Sequence, residues 1–312
     1  MVIPVYFEPS VEERTVRQIL RATLSDQNLF LEPRWVVLVV DRDTIAERIL
    51  EELKVELQLG SWTIRLEQNQ GKMGAVREGL RRLLQEPVRY LVTRDCDGDH
   101  VLGDVGRIVQ VAEEIREALP SRPICVFGSR PSLERPMKWV RKEWEILTNR
   151  VFESLTEFLL ARKRRVLDRR YWNGYPLDLQ SGYRLYDRRA AELAVGSLDR
   201  LPDDRDTYLM ACEMVPFLDV SLEGGVIGQV QRMTSVEQPV SSFKTIDFAT
   251  SYGRLLMFLA DLHGIDTPLL LRIFDNHMLS SEIFFSSARA QVLKSRDLIG
   301  GHDVPIVHPS IM

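Results

Sequence analysis

Short apolar runs alternate with amphipathic stretches over the first hundred residues. Four strands are predicted from the apolar runs, at residues 2–6, 35–40, 63–66 and 88–93. Three helices are predicted from apolar positions at helical spacing, at residues 11–24, 44–53 and 74–84. The run at 35–40 is apolar without alternation, which is typical of a strand buried on both faces of a parallel sheet. The order predicts an α/β fold with a mostly parallel, Rossmann-like, doubly wound sheet.

The pattern continues with a helix at 105–119 and a strand at 123–130. A basic stretch follows at 137–170, in which eight basic residues alternate with aromatic ones: Lys138, Arg141, Lys142, Arg150, Arg162, Lys163, Arg164 and Arg165. Such a stretch could bind a phosphorylated acceptor or a nucleic acid. Solvated faces of a long helical insertion are the favoured interpretation, because acidic residues elsewhere offset the charge.

The last part of the chain differs from the rest. Residues 248–262, 268–279 and 281–293 have wide apolar stripes and predict three helices. These stripes either pack on the preceding domain or form a homodimer interface. We therefore predict two parts, the α/β domain over 1–240 and a C-terminal helical extension over 241–312.

Composition narrows the class of protein. With 312 residues, 45% of them hydrophobic, the chain can bury a large core. Its 41 basic and 45 acidic residues give a net charge of −4, which does not favour a nucleic-acid partner. Its three cysteines have no metal-type spacing, and no apolar run reaches the ~18 residues of a membrane span. A cytoplasmic protein without an integral membrane segment is expected.

Carboxylates accumulate where two predicted strands end. Asp95, Asp97 and Asp99 follow the strand at 88–93, and Asp41 and Asp43 follow the strand at 35–40. Carboxylates this close repel one another unless water solvates them or a divalent cation lies between them. Both interpretations stay open on this pattern alone, because Asp-x-Asp is short.

The turn before the third helix contains Asn69, Gly71, Lys72 and Gly74. A helix N-terminus with glycines and a lysine can approach a diphosphate, because free N–H groups and the helix dipole favour anions. The turn matches neither the P-loop nor the dinucleotide-binding spacing. A simple connecting turn is the alternative interpretation.

Taken together, these motifs resemble family 2 glycosyltransferases of GT-A fold over about residues 1–240. The resemblance rests on four motifs in order: Pro4-Val5-Tyr6 with Glu8, the strand ending in Asp41, Asn69-x-Gly71-Lys72-x-x-Ala75 with Gly79, and Asp95-x-Asp97. It implies a nucleotide-sugar donor across the carboxyl edge of the sheet, with Mg²⁺ or Mn²⁺ on its diphosphate.

The resemblance also implies roles for individual residues. Asp41 or Asp43 would contact the nucleobase, Lys72 the diphosphate region, and Asp95 and Asp97 the sugar and the metal. The other residues placed in the donor site by position are Pro4, Tyr6, Glu8, Asn69, Gly71 and Cys96. The usual Asp-Asp-Gly-Ser is Asp41-Arg42-Asp43-Thr44 here, so the choice between the two carboxylates stays open.

Two later carboxylates are candidate catalytic residues. Asp178 precedes Gly182-Tyr183-Arg184, which resembles the acceptor-side Asp-x-x-x-Gly-aromatic-Arg segment of the family, although turn capping explains a loop aspartate equally well. Glu213 opens a predicted helix and is the candidate general base for an inverting reaction. In a retaining reaction Glu213 would only orient the acceptor.

The nearest subgroup by resemblance is the glucosyl-phosphoglycerate synthase type. Its metal-binding histidine is replaced, with Ser235 near its place, so His302 or His308 would have to substitute, and we assign His302. His100 has a further claim as a ligand because it follows the Asp-x-Asp segment.

These features lead to a metal-dependent transfer of a sugar from a nucleotide-diphosphate-sugar to a soluble, small-molecule hydroxyl acceptor, for example a phosphorylated metabolite such as phosphoglycerate. A sugar nucleotidyltransferase is one alternative, although residues 1–10 lack its glycine-rich phosphate loop. A non-catalytic nucleotide-sugar-binding protein is the other.

Overall fold

The computed structural model describes residues 1–25, 32–130, 139–173, 177–202, 211–233 and 247–301. The first half alternates strands and helices: β1 (Val2–Val5), α1 (Glu13–Leu24), β2 (Val37–Asp41), α2 (Thr44–Glu56), β3 (Trp62–Leu66), α3 (Gly71–Leu84) and β4 (Tyr90–Thr93). The remaining strands and the helices between them are α4 (Val105–Ala118), β5 (Ile124–Ser129), α5 (Trp139–Arg162), β6 (Arg184–Asp187), α6 (Arg188–Asp199), α7 (Ala211–Leu222) and β7 (Val226–Gln231).

Seven strands form one sheet in the order β3-β2-β1-β4-β6-β5-β7. All neighbours are parallel except β6, which runs antiparallel to β4 and to β5. The strand order changes direction between β1 and β4, so the carboxyl ends of β1, β2 and β4 lie side by side at one edge. Ligands of doubly wound sheets bind at such a point. The predicted mostly parallel, doubly wound sheet is confirmed.

Two hydrophobic clusters cover the two faces of the sheet. One contains the apolar faces of α1, α2 and α4, and the other contains those of α3, α5, α6 and α7. Along β2, Val37 and Val39 belong to one cluster while Leu38 and Val40 belong to the other. Burial on both faces explains why the sequence of this strand is apolar without alternation.

Helix α5 corrects the interpretation of the basic stretch. The expected solvated insertion is a 24-residue helix with Trp144, Leu147, Val151 and Phe152 fully buried. Its basic residues stand near the start (Arg141, Lys142), in the middle (Arg150) and at the end (Arg162), and a buried apolar stripe runs beside them. The helix is therefore part of the core.

The basic residues after α5 contact the end of another helix. Arg165 Nη1 donates to Leu222 O at 2.8 Å, and Lys163 Nζ donates to the same oxygen at 3.4 Å. These contacts lie at the C-terminus of α7, where cations stabilise the unpaired carbonyl groups. Lys138 lies outside the described residues.

The C-terminal part consists of α8 (Phe248–His263), α9 (Thr267–Met278), a 3₁₀ turn (Glu282–Phe285) and α10 (Arg289–Gly300). The helix predicted at 281–293 is wrong, because the chain is extended at Ser286 and the Ser286 hydroxyl accepts from Ala288 N at 3.1 Å. Such a serine turn competes with helix formation.

The C-terminal helices join the sheet in a shared core. Tyr252, Leu256 and Phe274 belong to the same cluster as Trp144 of α5. The apolar stripes of these helices therefore pack on the preceding domain, and the predicted boundary at 240/241 falls outside the described residues. Within the ranges given above, no helix has the length and apolarity needed to cross a membrane.

Candidate active site

Lys72 links two carboxylates that are far apart in the sequence. Its Nζ lies 2.7 Å from Asp95 Oδ1 and 2.7 Å from Glu213 Oε1. Lys72 stands in the first turn of α3, Asp95 follows β4, and Glu213 stands in the first turn of α7. Burial alone would lower the pKa of Lys72, but the two carboxylates outweigh burial and raise it well above its usual value. The three predicted residues thus meet as one charged cluster, in which Lys72 is a permanent cation.

Glu213 is almost fully buried, with 3% of the residue exposed. Its second oxygen, Oε2, accepts from the Cys212 thiol at 2.7 Å, and its backbone carbonyl accepts from Arg184 Nη1. The two carboxylate oxygens thus face Lys72 and the Cys212 thiol.

The Asp-x-Asp segment is a tight turn held by its own backbone. Asp97 Oδ1 accepts from Asp99 N at 3.1 Å, and Gly98 has a φ of +80°, which favours glycine. The turn is tied to α1, because Thr23 Oγ1 donates to Cys96 O at 3.1 Å. Burial and the nearby Asp95 and Asp99 raise the pKa of Asp97 to about 7. A carboxylate that resists ionisation this strongly lies where added positive charge is favourable.

His100 supports this turn and does not point to a ligand. Its Nδ1 accepts from Asp95 N at 3.0 Å, and its ring stacks on Tyr183 with centroids 4.7 Å apart. Burial lowers the pKa of His100 well below its usual value. A neutral imidazole that uses Nδ1 as an acceptor and is buried against a tyrosine has a structural role.

The predicted metal site can be compared with the side chains that could bind a metal ion. The described ranges contain no group of three or more His, Cys, Asp or Glu side chains that could hold a metal ion. Asp95 and Asp97 offer two carboxylates in one turn, which fits the way Mg²⁺ binds through one or two carboxylates plus substrate phosphates. A metal here would thus depend on oxygens of the donor. His302 lies outside the described residues.

Asp41 and Asp43 differ in their contacts. Asp43 caps α2 by accepting from Ala46 N at 2.9 Å, and its other oxygen accepts from Phe7 N at 2.9 Å. Asp41 is 1% exposed, and its Oδ1 accepts from Gln70 N at 2.7 Å. Both carboxylates therefore hold the loops after β1 and before α3 at the carboxyl edge of the sheet.

The glycine turn has the geometry of a strained helix start. Asn69 Oδ1 accepts from Gly71 N at 3.0 Å, and Gly71 has a φ of +69°. This conformation explains a glycine immediately before Lys72. Pro4 lies buried in β1 opposite Val39.

Tyr6 and Glu8 follow β1 at the same edge. The Tyr6 hydroxyl lies 3.4 Å from Glu8 Oε2. Their position after β1 places both residues beside the loops that Asp41 and Asp43 hold.

Asp178 lies in a buried ion-pair network. It accepts from Arg130 Nε at 2.8 Å and from Arg130 N at 3.0 Å, and Arg130 Nη2 also donates to Glu145 at 2.7 Å. Burial raises the pKa of Asp178, but Arg130 outweighs this effect and holds it below its usual range. Asp178 is 3% exposed and stays ionised as the partner of an arginine.

Three supporting residues escaped the sequence reasoning: Arg130, Arg232 and Tyr252. Arg232 follows β7 and donates to Asp99 Oδ2 and to Asp99 O, both at 3.2 Å, so it fixes the turn after β4. Arg130 was visible as a basic residue after a predicted strand. Neither Arg232 nor Tyr252 has a motif or spacing that would distinguish it.

Comparison with solved structures gives likenesses at low identity. TarS from S. aureus is 12% identical, with 94% of this chain and 41% of that chain covered and a TM-score of 0.43. The mannosyltransferase PcManGT from Pyrobaculum calidifontis, in complex with GDP-Man and Mn²⁺, is 12% identical, with 95% of this chain and 72% of that chain covered and a TM-score of 0.50. The chain thus spans less than half the length of TarS. At these identities the likeness concerns the fold alone, and the likeness to the mannosyltransferase agrees with the predicted GT-A architecture.

No curated protein matches this chain. The sequence profile described as Glycosyl transferase family 2 matches residues 1–193, from β1 into α6. This span contains the doubly wound half of the sheet, Lys72 and the Asp95–Asp97 turn. The chain therefore belongs to glycosyl transferase family 2.

Proposed function

We propose that this protein is a metal-dependent glycosyltransferase that moves a sugar from a nucleotide-diphosphate-sugar to a hydroxyl group of a small, soluble acceptor. The observation that supports the proposal is the placement of Lys72 between Asp95 and Glu213, at the edge where parallel sheets bind nucleotides. A donor-side carboxylate, a phosphate-binding cation and a base meet within one cluster.

On the donor side, the diphosphate would lie at the start of α3, where free N–H groups and the Lys72 ammonium attract it. Asp95 and Asp97 would hold the divalent cation together with phosphate oxygens. A bound Mg²⁺ or Mn²⁺ neutralises the charge that develops on the leaving diphosphate. For the nucleobase, Asp41 or Asp43 would be the contact, since both stand where β2 ends.

On the acceptor side, Glu213 would act as the base of an inverting reaction. The acceptor oxygen attacks the anomeric carbon, its proton passes to Glu213, and the bond to the nucleoside diphosphate breaks. Transfer of Lys72 from Glu213 to the diphosphate would leave Glu213 Oε1 available to the acceptor hydroxyl. In a retaining reaction Glu213 would orient the acceptor instead. The carboxylate of Asp178 binds Arg130, so Asp178 would contribute by holding the loop at residues 177–182 in place.

The phosphorylated acceptor, with phosphoglycerate as the example, now rests on the subgroup resemblance. Arg165 and Lys163, from the basic stretch that suggested it, bind the C-terminus of α7. That end of α7 is opposite to the end that carries Glu213. We therefore propose a small-molecule acceptor and test phosphoglycerate as one probe.

The test is thermal stabilisation by UDP, GDP, ADP and CMP and by their sugar conjugates, with and without Mn²⁺ or Mg²⁺. A ligand that binds only the native state raises the melting temperature by mass action. We expect one nucleoside diphosphate to raise it only with metal, and Asp97→Asn to remove that shift. Exposed Asp261→Asn is the matched control and should keep the shift. If no nucleotide shifts the wild-type protein, the proposed function is wrong.

The same panel separates the alternatives. Release of nucleoside diphosphate from the stabilising nucleotide sugar, with 3-phosphoglycerate or other hydroxyl acceptors, would support transfer. Binding without turnover for any acceptor would favour a nucleotide-sugar-binding protein. Release of pyrophosphate from a nucleoside triphosphate and a sugar phosphate would favour a nucleotidyltransferase.

A further inference from the structure

Helix α8 lies beyond residue 193, where the family profile ends, yet one of its side chains reaches the candidate active site. Tyr252 is fully buried, and its hydroxyl donates to Gln180 Oε1 at 2.5 Å. Gln180 belongs to residues 177–182, which we name the acceptor-side loop. The C-terminal helices are thus connected to the site by a specific polar contact as well as by apolar packing.

The direction of this hydrogen bond follows from its neighbours. The Thr148 hydroxyl donates to Trp144 O at 2.8 Å, so its lone pairs are left to accept from Gln180 Nε2, which lies 2.8 Å away. The amide nitrogen of Gln180 therefore faces α5, and its oxygen faces Tyr252. Burial raises the pKa of Tyr252 well above its usual value, so the hydroxyl keeps the proton that it donates.

The acceptor-side loop determines the space around Asp95. A Cβ atom at Gly182 would lie 2.4 Å from Asp95 Oδ2, so the loop backbone packs directly against the carboxylate. Thr93 Oγ1 donates to Gly182 O at 2.9 Å, and Ser181 Oγ donates to Gly128 O at 2.6 Å. These two bonds fix one end of the loop on the sheet.

The middle of the loop is held from the other side. Asn149 Nδ2 donates to Leu177 O at 3.1 Å, and Gln180 reaches both Thr148 and Tyr252. Of these contacts, only the one from Tyr252 comes from the C-terminal part of the chain. A shift of Gln180 would move Gly182, two residues further, relative to Asp95.

We propose that Tyr252 is a positioning residue of the active site: its hydroxyl holds Gln180, and thereby keeps the acceptor-side loop against Asp95. Helix α8 is then part of the catalytic architecture. The inference rests on the proposed function for its effect on turnover, and on the contacts alone for its effect on the loop.

The Tyr252 ring and hydroxyl can be separated by mutation. The ring stacks on Trp144 with centroids 6.1 Å apart and on Phe248 with centroids 6.2 Å apart. Tyr252→Phe keeps both stacks and removes the hydroxyl, which donates to Gln180 and also contacts Thr148. Tyr90→Phe is the matched control, because the Tyr90 hydroxyl also has a side-chain partner, Arg116 Nε at 3.0 Å, but lies at the amino end of β4.

The experiment measures three quantities on both variants. In Tyr252→Phe, hydrogen exchange of the amides at 177–182 should speed up at least tenfold, while Tyr90→Phe leaves it unchanged. The Kd of UDP and of GDP with Mn²⁺ should stay within twofold of wild type. Release of the nucleoside diphosphate from the matching nucleotide sugar should fall at least tenfold in kcat, well below the melting temperature of the variant. A purely structural role would lower the melting temperature and leave the turnover of folded molecules unchanged.

A double variant tests the route through Gln180. If Tyr252 acts through Gln180, then Tyr252→Phe combined with Gln180→Leu should turn over within twofold of Gln180→Leu alone. Unchanged loop exchange in Tyr252→Phe, or a turnover equal to that of Tyr90→Phe, would overturn the inference. A wild-type protein that binds no nucleotide would instead contradict the proposed function. In that case, hydrogen exchange of the amides at 177–182 would still test whether Tyr252 holds Gln180.

Discussion

Single residues at the carboxyl edge of the sheet are held in place by ion pairs or by close packing. Lys72 pairs with Asp95 and Glu213, while the backbone of Gly182 lies so close to Asp95 Oδ2 that a Cβ atom there would overlap it. The charge can be removed at Lys72, and the volume can be increased at Gly182. Each substitution gives a prediction with a matched control elsewhere in the chain.

Lys72→Met should lower the free energy of unfolding at neutral pH by about 2–4 kcal/mol, because it leaves Glu213 buried without its cation. Urea unfolding at neutral pH measures the loss. Lys294→Met is the control: Lys294 and Asp247 are 51% and 53% exposed, and the loss of their contact should cost less than about 1 kcal/mol. Equal losses in the two variants would contradict the buried role of Lys72.

Gly182→Ala should displace Asp95 and destabilise the protein by about 1–3 kcal/mol, because the added Cβ overlaps a carboxylate oxygen. It should also weaken the metal-dependent binding of the nucleoside diphosphate. Gly196→Ala is the matched control, since no atom lies within 4 Å of its Cβ position in α6, and we expect a gain of roughly 0.5–1 kcal/mol. Isothermal titration and thermal unfolding compare the pair, and equal nucleotide affinity would rule out crowding at Asp95.

At the scale of helices and strands, α5 links the two parts of the chain. It packs against α7, and it also contacts α9 and the turn Glu282–Phe285. Tyr252 of α8 stacks on its Trp144. The contact with α9 includes a titratable group, because Ser154 Oγ lies 2.7 Å from His277 Nε2. Burial, and then Arg150, lower the pKa of His277 below its usual value of 6.5.

The stability of the α5–α9 contact should therefore fall in mild acid. The unfolded imidazole takes up its proton near pH 6.5 while the native one stays neutral, so the stability contribution present above pH 6.5 is lost as the pH falls. His277→Gln cannot titrate, and its stability relative to wild type should rise by up to about 1 kcal/mol between neutral pH and about pH 5. Ser154→Ala keeps the imidazole and should retain the wild-type pH dependence. Urea unfolding across this range measures the difference, and parallel curves for His277→Gln and wild type would contradict the lowered pKa.

At the scale of the whole molecule, the C-terminal helices and the sheet share one hydrophobic cluster. Tyr252, Leu256, Leu259 and Phe274 are buried in it together with Trp144. Removal of α8–α10 would expose one face of α5 along much of its length. The catalytic part predicted at 1–240 therefore depends on the helices that follow it.

A chain ending at residue 246 should lose cooperative thermal unfolding and bind a hydrophobic dye, because the exposed surface of α5 is large and apolar. Differential scanning calorimetry and dye fluorescence measure these changes. Full-length Tyr90→Phe, handled in the same way, controls for preparation. A sharp unfolding transition in the shortened chain would support two independent domains instead.

The sequence alone determined the α/β alternation and the edge of the sheet at which Asp95 and Lys72 both stand. These follow from local patterns, since strand ends and helix starts in a parallel sheet are brought to one edge by topology alone. The burial of α5 was not predictable from its charge count, because the number of basic residues in a helix does not show whether an apolar stripe runs beside them.

Tertiary structure alone decided which polar and charged side chains pair. Asp178 faces Arg130, Asp99 faces Arg232 and Gln180 faces Tyr252, across sequence separations of 48, 133 and 72 residues. Buried polar groups must find partners wherever packing places them, and packing depends on the whole chain. The local sequence determined which chemical groups stand at the edge of the sheet, and the long-range contacts determined which of them are held in place and which are left to meet a ligand.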